Sequence, residues 1–121
     1  MRIVIPFVLA AAFMAQTAVA GDPVQGKAVF KTTCAVCHSD VAGKNGIGPS
    51  LFGVVGRKAG SEPGFKYSPA MTKAGIVWTA ENLDAFAASP KAVVSGTSMP
   101  FGGLKDAAKR ADLVAYLGTL K

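Results

Sequence analysis

Cys34-Ala35-Val36-Cys37-His38 decides how the rest of this 121-residue chain reads, because it holds both cysteines and the only histidine. Two thiols three positions apart need a use. A disulfide across two residues is strained and closes almost no loop, so it would stabilise little. A thiol–disulfide redox site follows a β-strand and opens a helix, whereas Cys34 ends a helical pattern in a chain without a β pattern. Zinc wants four ligands from Cys, His or acids, and no second cluster accompanies these three.

C-x-x-C-H reads instead as covalent haem attachment. Two thiols about one helical turn apart can add to the two vinyl groups of one porphyrin, and the next residue then sits under the iron. His38 takes its role from that place in the motif. With no second histidine, a sixth ligand would be methionine, lysine or nothing. Beyond the leader described next, the methionines are Met71 and Met99. Met71 occupies an ordinary packing position in a short helix. Met99 lies in the irregular segment Ser95-Gly96-Thr97-Ser98-Met99-Pro100-Phe101-Gly102, from which a thioether can be presented to the opposite haem face. A soft thioether favours ferrous iron and raises the reduction potential relative to two imidazoles.

Working outward, Arg2, the apolar run from Ile3 to Ala15 and Thr17-Ala18-Val19-Ala20 form a secretory signal peptide, residues 1–20, with cleavage expected after Ala20. Pro6 interrupts the run, which is shorter than the roughly 20 residues needed to cross a bilayer. Residues 21–121 then make one domain, exported to the periplasm. Removing Arg2 from thirteen Lys and Arg leaves twelve against seven Asp and Glu, a charge of +5 before any cofactor. Export argues against nucleic acid as the partner of that charge, and an acidic protein surface suits it better.

Asp22-Pro23-Val24-Gln25 reads as a capped helix start, giving a helix over 23–33. Gly26 and Phe30 lie one turn apart on it, a notch beside a ring that suits close crossing by another helix. Residues 39–65 are glycine-rich and aperiodic, so turns are expected, with a very short strand at Val54-Val55. Short helices follow over 69–74, 80–88 and 90–94. A last helix over 105–119 sets Leu113, Leu117 and Leu120 opposite the smaller Ala107, Ala111 and Val114, and is the natural partner for the notch at Gly26. The pattern is all-α, a single small domain of short helices and loops wrapped around one haem, first and last helices crossing. Large apolar residues are too few for a conventional core, and a planar cofactor would supply the missing volume.

Residues 21–121 resemble the class I c-type cytochromes of the mitochondrial type, which include bacterial soluble cytochromes c. The resemblance rests on Gly26 with Phe30, the C-A-V-C-H, Gly48-Pro49-Ser50-Leu51, Gly56-Arg57-Lys58-Ala59-Gly60, Pro63-Gly64-Phe65-Lys66-Tyr67, Gly75-Ile76-Val77-Trp78, Gly96-Thr97-Ser98-Met99 and Arg110-Ala111-Asp112-Leu113-Val114-Ala115-Tyr116-Leu117. It implies a cytochrome c fold and one covalent haem c on Cys34 and Cys37, with the iron held by His38 and Met99. It further implies that the Pro49 carbonyl orients His38, and that Arg57, Tyr67 and Trp78, joined by Thr97, bond or neutralise the haem propionates. Phe101 would stand beside the exposed haem edge, with Leu117 and Tyr116 packing on the haem or the first helix. Phe86, Ser98 and Met71 depart from the family pattern of tyrosine, lysine and asparagine.

The implied function is a monomeric one-electron carrier, not an enzyme. A cytochrome bc complex is the implied donor, and a terminal oxidase, photosynthetic reaction centre or periplasmic reductase the acceptor. Membranes are met only through those complexes, and Lys31, Lys44, Lys58, Lys91 and Lys105 are the candidate docking cations. A haem enzyme or gas sensor with an open sixth site, and an assembly module that does not turn over electrons, are the rival readings.

Overall fold

The computed structural model describes residues 21–121, so the leader assigned to residues 1–20 lies outside the described residues. Asp22 opens the first helix, α1 (Pro23–Val29), by accepting the Val24 N–H on its carboxylate at 2.8 Å, with Pro23 in the first turn where its missing N–H costs nothing. The helix does not stop at Thr33 as its sequence pattern suggests. It widens into a π turn, Phe30–Cys34, in which Ala35 N–H reaches back five residues to the Phe30 carbonyl at 2.9 Å. The Thr32 hydroxyl helps hold this turn by bonding the carbonyls of Ala28 and Val29 at 3.1 and 3.2 Å. Cys37 and His38 N–H groups then both donate to Cys34 O, at 3.1 and 2.9 Å, winding the motif into a turn.

The later helices are α2 (Pro69–Thr72), α3 (Ala80–Ala88), α4 (Pro90–Val93) and α5 (Ala107–Leu117). Each lies where the sequence places one. α2 is two residues shorter than 69–74, because the chain turns at Gly75 with φ +67°. α5 starts two residues later than expected because Asp106 caps it, accepting Ala108 and Lys109 N–H at 3.0 and 3.2 Å. Asp106→Ala is expected to cost about 1 kcal/mol in a denaturant titration, the usual value of a lost N-cap.

α1 and α5 cross at the glycine notch. Gly26 is buried, and a Cβ there would overlap the carbonyl oxygen of Asp112 and come within 2.8 Å of Tyr116 Cβ. Phe30 and Tyr116 rings meet beside the crossing at 5.7 Å between centroids, and Asp22 N–H donates to Asp112 Oδ1 at 2.8 Å. Arg110 ties α5 to α3 through Asp84 at 2.9 Å and to the preceding loop through the Leu104 carbonyl at 2.9 Å.

Residues 39–65 form turns that satisfy their own polar groups. Fully buried Ser50 donates its hydroxyl to Val41 O at 2.7 Å, while Asn45 accepts the Ser50 N–H at 2.9 Å and donates to Pro63 O at 3.1 Å. The strand expected at Val54-Val55 does not form: Val54 N–H closes a turn onto Leu51 O, and its side chain is buried. The single antiparallel bridge described joins Lys58 to Val77 instead. Among the described residues, no helix is long and apolar enough to cross a membrane.

Candidate haem site

The π turn and the motif turn after it, the 39–65 loop, α2, α3, α5 and the 95–104 segment line a cavity of about 410 Å³. Cys34, Cys37, His38, Pro49, Arg57, Tyr67, Trp78, Thr97 and Met99 all line it. Residues spread over 66 positions of sequence are thus brought to one space, walled otherwise by apolar side chains such as Leu51, Leu83, Phe86 and Leu117.

His38 is fixed from two sides. Its Nδ1 lies 2.8 Å from the Pro49 carbonyl, which can only accept, so Nδ1 carries the hydrogen and Nε2 keeps its lone pair. Gly48 stands against the ring, where a Cβ would come within 2.7 Å of Nδ1, and its N–H holds Cys37 O at 2.8 Å. Burial lowers the histidine pKa; the Pro49 bond opposes that, and nearby Arg57 adds to it. A buried neutral imidazole with one committed nitrogen is the form that donates to a metal. Burial, with the neighbouring Cys37, pushes the Cys34 thiol up to about 11. That is the opposite of the lowered pKa that activates a redox dithiol.

On the other wall Arg57 is nearly spent. Nη2 donates to Ser50 O at 2.9 Å, and Nη1 to Phe52 O at 3.3 Å and to Glu62 Oε2 at 2.8 Å. Its Nε is buried with no partner among the described residues. Tyr67 packs edge-on against Phe65 at 4.9 Å, and its hydroxyl oxygen accepts Glu62 N–H at 3.0 Å. Buried Trp78 packs on Phe86, ring centroids 4.9 Å apart. Thr97 holds the methionine loop, its Oγ1 accepting the Met99 N–H at 3.3 Å. Of the other expected contacts, Leu117 faces the cavity and Tyr116 packs on Phe30 of the π turn. Lys31, Lys44, Lys58, Lys91 and Lys105 are all exposed, although Lys105 spends its ammonium on Ala88 O at 2.8 Å.

The donor set fits a haem. Apolar walls suit a porphyrin face, two thiols and an imidazole suit covalent attachment and iron ligation, and the unpartnered Arg57 Nε asks for an anionic acceptor such as a propionate. Sequence reasoning missed two residues that support the site. Glu62 pairs with Arg57, and Asp40 accepts the Tyr116 hydroxyl at 2.5 Å, tying the attachment loop to α5. Burial, followed by the bond to and charge of Asp40, pushes the Tyr116 hydroxyl up to about 12.

Such a fold and site define a small haem-binding protein with covalent attachment. Comparison with known proteins identifies the family. The cytochrome c family model matches residues 23–121. The chain is 54% identical over 101 residues to cytochrome c2 of Rhodopila globiformis, covering 84% of this chain and 95% of that protein. It is 46% identical over 101 residues to cytochrome c of Euglena viridis, covering 84% and 99% respectively. The structure of cytochrome cH from Methylobacterium extorquens aligns with a TM-score of 0.76 at 43% identity, over 82% of this chain and 99% of that one. The chain belongs to the cytochrome c family. Its cofactor is one covalently bound haem c with iron, and it is an electron carrier, not an enzyme.

Proposed function

We propose that this protein is a soluble periplasmic one-electron carrier in which His38 and Met99 would ligate the haem iron. The observation that carries the reading is His38, its Nδ1 committed to Pro49, lining the same cavity as Met99 in the 95–104 segment; Met71 lines that cavity too, from α2. Cys34 and Cys37 supply the thioether bonds. Arg57, Tyr67, Trp78 and Thr97 would hold the propionates. When bound, the haem supplies an iron that passes between ferric and ferrous states by gain or loss of one electron.

The protein's residues keep that exchange inexpensive. His38 is locked by Pro49 and Gly48, and the Met99 backbone is held by Thr97, so neither side chain has to move when charge changes. Residues 1–20 would direct export, and their cleavage would release the chain in the periplasm. There a cytochrome bc complex would donate, and a terminal oxidase, photosynthetic reaction centre or periplasmic reductase would accept. The exposed lysines 31, 44, 58, 91 and 105 would steer those encounters and make them weaken with salt.

Visible spectra of the purified holoprotein, wild type and Met99→Ala, test the ligation. The expected result is a weak long-red sulfur-to-iron band in the oxidised wild type that the variant loses, with haem still attached. The variant's potential falls by about 0.1–0.3 V, within the range of about 0.8 V over which axial ligands set haem potentials. A band that survives in Met99→Ala, or is missing from wild type, overturns the Met99 assignment and favours an open-site enzyme or gas sensor.

A further inference from the structure

We infer that Glu62 is a positioning residue that sets the reduction potential, by holding Arg57 and offsetting its charge at the haem site. The inference rests on the reading of Arg57 as the cation facing a propionate.

Arg57 is bonded at one end and open at the other. Its Nη1 is 2.8 Å from Glu62 Oε2, while Nε is buried and unpartnered. The two side chains keep only 13% and 12% of their surface exposed, so salt and water screen the pair weakly. Glu62 does not itself line the cavity; it stands behind two residues that do. Its carboxylate takes Arg57 and its backbone N–H takes the Tyr67 hydroxyl oxygen at 3.0 Å. The carboxylate therefore fixes the guanidinium by its Nη1 edge beside the cavity that Arg57 lines, and cancels much of the positive charge that Arg57 brings.

The sign follows from the iron. Ferric haem carries one more positive charge than ferrous haem, so a nearby anion favours the oxidised form and a nearby cation the reduced form. Arg57 alone would raise the potential; Glu62 behind it lowers the potential again. A glutamine at 62 keeps the shape and an oxygen acceptor for Nη1 while removing the charge.

Spectroelectrochemical titration of the holoprotein against a reference redox dye, for wild type, Glu62→Gln, Glu62→Ala, Glu62→Asp and Arg57→Gln, tests this. Both neutral variants at 62 are expected to shift the electron-exchange equilibrium about three- to tenfold toward the reduced form, a rise of about 30–60 mV at 59 mV per tenfold. Glu62→Asp, which keeps the charge, stays within about twofold of wild type, and Arg57→Gln shifts the equilibrium the opposite way. A merely structural Glu62 would lower the unfolding midpoint and leave the potential where it was. If Arg57→Gln lowers the potential but the neutral variants at 62 leave it within twofold, or lower it, the role of Glu62 is wrong and the propionate reading stands. If Glu62→Asp shifts as far as Glu62→Gln, charge is not the cause and the inference fails. If no variant at 57 or 62 moves the potential, the reading of Arg57 falls and takes the inference with it.

Discussion

Gly26→Ala is expected to destabilise the holoprotein by about 3 kcal/mol, seen as a lower guanidinium chloride midpoint at unchanged slope. Alanine is the better helix former by about 1 kcal/mol, so propensity alone predicts a gain. Packing decides the sign. The new methyl would overlap the backbone oxygen of Asp112, and a backbone carbonyl in mid-helix cannot rotate aside as a side chain can. The crossing has to open, which loosens the Phe30–Tyr116 contact and the bond from Asp22 N–H to Asp112. Gly102→Ala is the control: a Cβ there meets nothing within 4 Å, and its effect is expected within about 0.5 kcal/mol. A cost below about 1 kcal/mol at Gly26 would mean that the helices do not depend on glycine for their approach.

That notch was legible because a missing side chain on one helix face has a direct steric meaning, and the haem motif was legible because covalent chemistry dictates its spacing. Helix starts were legible where a capping side chain precedes the first turn, with a proline behind it at Asp22-Pro23 and Ser68-Pro69 and without one at Thr79-Ala80. What escaped depends on tertiary partners. The π turn at Phe30–Cys34 has no compositional mark, since the same residues could continue an α-helix; its widening shows only in the Ala35 to Phe30 bond. Val54-Val55 has strand-like composition, but burial of Val54 in a turn wins over propensity. Glu62 lies five residues from Arg57 across Gly60-Ser61, and Asp40 lies 76 residues from Tyr116. A charge in a loop carries no sign of the partner it will find. The family resemblance assigned roles to residues that touch the haem, and was silent on the carboxylate standing behind Arg57.

Cys34→Ala/Cys37→Ala, expressed and purified without haem, is expected to lose cooperative folding altogether. The cavity of about 410 Å³ would have to stay open or collapse. Left unfilled, its apolar walls lose their packing partners, a large loss against a total stability of about 5–15 kcal/mol for an ordinary domain. Collapse is blocked on one side by the α1–α5 crossing, already at backbone contact at Gly26, and on the other by loop turns fixed through Ser50, Asn45 and Arg57. An open cavity would also leave the buried Arg57 Nε without an acceptor, a further penalty of about 1–3 kcal/mol. Far-UV circular dichroism would then show most of the helix lost, and heating would give a slope without a transition. Either cysteine replaced alone leaves one thioether and a filled cavity, so each single variant is expected to keep its helices and unfold cooperatively at a lower midpoint. Native helix content with a sharp transition in the haem-free double variant would show that protein side chains can fill this space themselves, and that the cofactor is a guest in the core instead of part of it.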